Sequence, residues 1–109
     1  MRFLILPIAA LLVAGCAGHP PEIKRYVGAV PEVGHGGTVK TVDGVQFWDN
    51  GAPNRKFVQV GLIDEDFRWD PTPKELKLWS QAVRAAGGDA VIFPSRDAQE
   101  LTAKVVKVL

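Results

Sequence analysis

Four carboxylates fall within one short stretch, at Asp64, Glu65, Asp66 and Asp70. Clustered acids can hold calcium or share a proton for acid and base work. A calcium loop needs alternating ligands, a central glycine and a distal glutamate, and Phe67-Arg68-Trp69 supplies none of them. Spacing singles out no acid-base pair either. The stretch reads as a solvated acidic turn, and a carboxylate-based metal-binding protein or hydrolase of the cell envelope is the alternative function it leaves open. Ser80 lies in a helical pattern and Ser95 in a turn, with no histidine after His35 to act as base. His19 and His35 read as solvated linker side chains without partners at ligand spacing. Gly34-His35-Gly36-Gly37 lacks the lysine and hydroxyl of a phosphate-binding loop, so no cofactor motif and no metal site are assigned.

A second set suits contact rather than catalysis. Trp48 beside a turn and Trp69 in a loop read as partly exposed, with Arg55 and Arg68 close by in sequence. Tryptophan and arginine dominate the energetic centres of protein interfaces, so Trp48, Arg55, Arg68 and Trp69 form the candidate partner-contact set. The plainer reading is that both indoles cap the ends of a small core.

The strongest chemical signal is Leu12-Val13-Ala14-Gly15-Cys16. A positive start at Met1-Arg2 and an apolar run from Phe3 to Ala14 match the charged and hydrophobic regions of a secretory signal. The run stops at His19-Pro20-Pro21, short of the roughly 20 residues that span a bilayer. Leu12 to Cys16 resembles the lipobox of bacterial lipoproteins. That resemblance implies cleavage before Cys16 and acyl chains on Cys16, with the mature protein anchored in the membrane. Two or three chains, each contributing about 0.8 kcal/mol per buried methylene, hold stably where one does not. In that family an aspartate after the cysteine favours the inner membrane. Ala17 stands there instead, which points to the outer membrane, periplasmic face.

Charge and size narrow the rest. The 109 residues carry 13 Lys and Arg against 12 Asp and Glu, and removing Arg2 with the leader makes the two equal. No basic excess is present to grip nucleic acid. Cys16 is the sole cysteine, so packing and hydrogen bonds must hold the fold without disulfides. The expected organisation is a signal peptide over 1–15, a lipidated Cys16 with a flexible Pro- and Gly-rich tether over 16–37, and one small domain over 38–109. Within the tether, Ile23 to Val30 is apolar enough to add an edge strand.

The domain's elements follow from local chemistry. Thr38 to Val42 and Val45 to Trp48 flank Asp43-Gly44, which suits the two positive φ angles of a type I′ hairpin turn. Asn50-Gly51 and Pro53-Asn54 mark a longer loop. Phe57 to Ile63 alternates as a strand, with Val58, Val60 and Leu62 on one face and Phe57, Gln59 and Ile63 on the other. Gly61 within it marks packing against the next helix. Thr72-Pro73-Lys74-Glu75 has the parts of a capping box. Leu76, Trp79, Val83 and Ala86 then recur at helical spacing until Gly87-Gly88. Asp89 to Pro94 reads as a buried strand, and Leu101 to Leu109, ambiguous by pattern, as a strand by propensity. The expected fold is α+β, a small antiparallel or mixed sheet of about four to five strands with one helix on one face.

The order of Val60-Gly61-Leu62-Ile63, a loop, Ala82-Val83-Arg84-Ala85-Ala86-Gly87-Gly88 and Asp89-Ala90-Val91-Ile92 resembles YbjQ-like domains and the stress-sensor lipoprotein domains of the Rcs phosphorelay. The resemblance spans roughly the second half of the chain. It implies an α+β sheet carrying a helix, and no catalytic residues. Unlike those disulfide-braced sensors, this chain has no cysteine in its folded part. Together the readings give an expected non-enzymatic outer-membrane lipoprotein, facing the periplasm, that binds an envelope protein or senses envelope stress.

Overall fold

The structure is a computed structural model that describes residues 19–109. The leader, the lipobox and Cys16 lie outside the described residues. The elements are β1 (Lys24–Arg25), β2 (Glu32–Val33), β3 (Gly36–Val42), β4 (Val45–Ala52), β5 (Lys56–Ile63), α1 (Pro73–Ala85), β6 (Ala90–Ile92) and β7 (Ala103–Val108). One mixed sheet of seven strands runs β1-β5-β7-β6-β4-β3, with β2 also on β5. The class is α+β, and the sheet is larger than the sequence suggests. Residues N-terminal of Thr38 make the difference, because β1 and β2 add two short pieces to the outer side of β5.

Local signals act where they stand. Asp43 and Gly44 have φ of 48° and 80°, and Val42 pairs with Val45 across the turn. At the start of α1 the Glu75 amide donates to Thr72 Oγ1 at 3.2 Å, while the Thr72 amide donates to Glu75 Oε1 at 2.9 Å. These reciprocal bonds satisfy two amides that a helix start leaves without partners. Gly87, with φ of 86°, ends the helix. Leu76, Trp79, Ser80 and Val83 are its buried face. Ala86 instead caps the helix and is exposed.

Three features of the strands depart from the sequence pattern. Asn50-Gly51 is a bend inside β4, not a loop: Asn50 has φ of 58°, and a register shift opposite it separates Gly36 from Thr38. β5 does not alternate throughout, since a shift between Gln59 and Gly61 puts Phe57 and Ile63 on opposite faces. A bulge of one residue does this because strand side chains alternate with period two. Gly61, finally, makes room for the lead-in and not for the helix: a Cβ there would lie 2.7 Å from Ile23 Cγ2 and 3.0 Å from the Lys24 carbonyl oxygen.

Two cores result. Val45, Phe47, Ile63, Val91, Ala103 and Val105 pack with Leu76, Trp79 and Val83 of α1. Trp48, Phe57, Ala90 and Val106 form a second cluster, joined by Ala52, Ile92 and Val108. Neighbours on β6 and β7 point to opposite faces, so Ala90 and Val106 sit opposite Val91 and Val105, all fully buried. No helix among the described residues covers the second side. The pairing path covers it: beyond the bend, Ala52 pairs with Gly36 of β3, and three residues earlier Val33 of β2 pairs with β5, so the sheet curls back on itself. Gly51 permits the curl, since its backbone meets Gly36 where no side chain fits.

The lead-in is fastened along β5. Pro21 is buried, the Glu22 amide donates to Asp66 Oδ2 at 2.7 Å, and the Tyr26 amide donates to the Val60 carbonyl at 3.1 Å.

Candidate functional site

The predicted contact residues do not gather in one place. Trp48 belongs to the second core at 9% exposure, its Nε1 donating to Gln46 Oε1 at 3.2 Å. Its indole is buried where the sequence suggested partial exposure, because the curled end of β4 lies over it. Arg55 is exposed and donates to the Leu109 carbonyl at 3.3 Å. Arg68 pairs with Glu75 at 2.9 Å and so reinforces the helix cap. The Thr72 amide first, and Arg68 after it, hold the Glu75 carboxyl below its usual range.

The acidic turn is largely engaged in structure. Lys24 Nζ reaches Asp64 Oδ2 at 2.8 Å; this hydrogen bond lowers the Asp64 pKa and raises that of Lys24. Asp66 holds Glu22, as above, so the two acids pin the lead-in onto the domain. Ser80 is fully buried, and its hydroxyl lies 2.8 Å from the Leu76 carbonyl and 2.9 Å from that of Val42, tying α1 to the β3–β4 turn. Among the described residues no group of three or more His, Cys, Asp or Glu is placed to hold a metal ion.

A cleft of about 300 Å³ opens between the β3–β4 hairpin, the loop before α1 and the end of β6. Phe47, Leu76 and Phe93 give it an apolar floor, with Trp69 as a wall and Asp49, Lys40 and Asp70 at its borders. Phe93 is the centre of the aromatic packing: its ring centroid lies 5.3 Å from Phe67, 6.2 Å from Trp69 and 6.2 Å from Trp79. Its amide donates to the Trp48 carbonyl at 2.9 Å, which fixes it beside β4. Phe67 meets Trp69 edge-to-face at 5.0 Å. Such offset contacts match the positive edge of one ring to the negative face of another.

One cation completes the wall. The Arg96 guanidinium carbon stands 4.1 Å from the Trp69 ring centroid, and Arg96 Nη2 lies 2.9 Å from Asp49 Oδ2. Asp49 Oδ1 is enclosed and accepts no hydrogen bond among the described residues. The Asp49 side chain as a whole is 29% exposed and Arg96 holds its other oxygen, so the carboxylate keeps the capacity to accept a further N–H group.

No family model, no curated protein and no solved structure matches this chain. The site must be read from its own geometry.

Sequence reasoning found Trp69 and missed Asp49, Phe93 and Arg96 as its partners. A signal existed at Asp49, which stands two residues after Phe47 and so shares the core-facing side of a strand. A charge in that position conflicts with its local pattern, and such conflicts mark functional or strained sites.

Proposed function

We propose that the protein is a lipid-anchored binding module of the cell envelope, held on the periplasmic face of the outer membrane, and that the Trp69 cleft is where it takes hold of its partner. The anchor follows from the lipobox at Leu12 to Cys16. The binding role follows from the cleft, and one observation carries it: Asp49 Oδ1, beside aromatic walls, accepts no hydrogen bond from the described residues.

The chemistry of the occupant follows from those walls. Arg96 already displays the preferred guest, a planar cation against Trp69 with one N–H on Asp49. A cation over an indole contributes about 0.5–1 kcal/mol when exposed and about 2 kcal/mol when desolvated. A partner's arginine, lysine or amide group would satisfy Oδ1 while its apolar stem lies on Phe93 and Phe47. At this volume the cleft suits one side chain or a small fragment, being at the lower end of ligand-site sizes. Arg96 is about half exposed, so it can move aside as the guest enters. Partner capture and stress sensing share this geometry, since a displaced Arg96 would report occupancy.

Site-specific photocrosslinking in the native envelope tests the reading. A benzophenone side chain at Thr38, on the lip of the cleft, is expected to trap one dominant envelope protein. The same probe at Arg55, which borders a different surface, is expected to trap none, and Asp49→Asn should weaken capture from Thr38. Equal products from both positions, unaffected by Asp49→Asn, would rule the cleft out.

A further inference from the structure

We propose that the lead-in edge of the sheet lies against the lipid bilayer, with Tyr26, Val27, Val30 and Val33 as its contact. This rests on the anchor at Cys16 and adds an orientation and a lipid-facing surface to it.

The first observation is where exposed apolar side chains fall. Tyr26, Val27, Val30 and Val33 are 43%, 78%, 74% and 59% exposed. Single exposed hydrophobics are ordinary on any surface, whereas four within residues 26–33 concentrate apolar side chains on one edge segment. These four belong to one segment that runs along the outer side of β5, from Arg25 opposite Gly61 to Val33 opposite Lys56. The segment is longer than the stretch of β5 it follows, so the residues around Gly28, with φ of 87°, stand out sideways from the sheet. Tyr26, Val27 and Ala29 also border a surface hollow with Ile23 and Val60.

The second observation is reach. Pro21 is buried and Glu22 is fixed to Asp66. Five residue steps separate Cys16 from Pro21, and a fully extended chain spans at most about 3.3–3.6 Å per step, so roughly 17 Å joins the acylated residue to the domain surface. That distance is shorter than a folded domain is wide, and it begins at one end of this very edge. An anchored domain therefore cannot turn the edge far from the lipid.

Composition sets the depth. Tyrosine prefers the membrane interface, with its ring among the acyl chains and its hydroxyl among headgroups. Arg25 and Glu32 flank the valines, which keeps the contact at headgroup level and out of the hydrocarbon centre.

Full-length acylated protein in vesicles of phosphatidylethanolamine and phosphatidylglycerol gives the test. An environment-sensitive dye is attached at Val27→Cys or, as a control, at Lys77→Cys on the exposed side of α1. Flotation first shows whether the protein is anchored. The dye at position 27 is expected to shift to the blue and to be quenched by lipids spin-labelled near the headgroup, while the dye at 77 stays wet and unquenched. A floating protein whose two dyes behave alike overturns this proposal and leaves the anchor standing. A dye at 27 that is shielded but not quenched, with shielding that grows with protein density, identifies a second copy of the chain as the occupant and likewise overturns it. A chain that carries no acyl groups and does not float overturns both.

Discussion

Gly51→Ala is the substitution that most directly probes the curled sheet. A Cβ at this position would stand 1.7 Å from the Gly36 carbonyl oxygen and 3.0 Å from Gly37 Cα, whereas real Cβ contacts do not fall below 3.0 Å. Both neighbours are backbone, so no side chain can swing away, and the pairing of Gly36 with Ala52 must open. Forced overpacking of this kind costs about 1–3 kcal/mol, and the rigid neighbours place this case toward the upper end. For a domain of this size, about 2–3 kcal/mol lowers Tm by roughly 10–20 °C. The opened arm also uncovers the second core, so Trp48 emission should move to the red before the helix side unfolds. Gly28→Ala is the matched control, because nothing lies within 4 Å of its added Cβ and only its φ of 87° resists the change. That costs about 1–2 kcal/mol and leaves Trp48 shielded. If Gly51→Ala melts within about 3 °C of the parent with Trp48 still shielded, the closing contact between β3 and β4 is not what covers the second core.

Four further outcomes follow from particular contacts. Thr72→Ala should cost about 1 kcal/mol in urea unfolding through the lost cap. Because Glu75 titrates below its usual range in the folded chain, its stabilisation is complete above the unfolded carboxyl value near pH ~4.3 and disappears as pH falls through the folded value; Glu75→Gln should therefore lose less stability than the parent between about pH 5 and pH 3. Gly61→Ala should push Ile23 and Lys24 off β5, raising amide exchange at Tyr26 about tenfold while Val106 stays protected; unchanged exchange at Tyr26 would contradict the fastened lead-in. Arg96→Ala should cost no more than about 1 kcal/mol, since Arg96 is itself about half exposed, yet shift the emission of Trp69; a loss above about 3 kcal/mol would make Arg96 a structural clamp and not a side chain that yields to a guest.

What the sequence disclosed and what it withheld divide along physical lines. The Asp43-Gly44 turn, the Thr72 to Glu75 cap and the Gly87 stop are each settled within four residues, so local chemistry was enough to place them. β7 was harder. Val105 and Val106 both needed burial, and only a strand flanked by β5 and β6 with a core on each face satisfies adjacent apolar residues. The curl was not legible, because Asn50-Gly51 has the composition of a loop and becomes a strand bend only when Gly36 lies beside it. The bulge at Gln59 to Gly61 likewise depends on what β7 and β1 offer opposite. The cleft depends on Asp49 meeting Arg96, 47 residues apart, a contact no local pattern encodes. The carboxylates of Asp64 and Asp66 drew attention as chemistry, while their described contacts hold the lead-in in place.

Both the proposed anchor and the proposed lipid-facing edge require acyl chains at Cys16. Intact-mass and N-terminal peptide mass spectrometry of the protein from its native envelope tests this most directly. The expected product begins at Cys16 and is heavier than its sequence by its acyl groups. A polypeptide that still begins at Met1 and carries an unmodified Cys16 thiol would contradict the account.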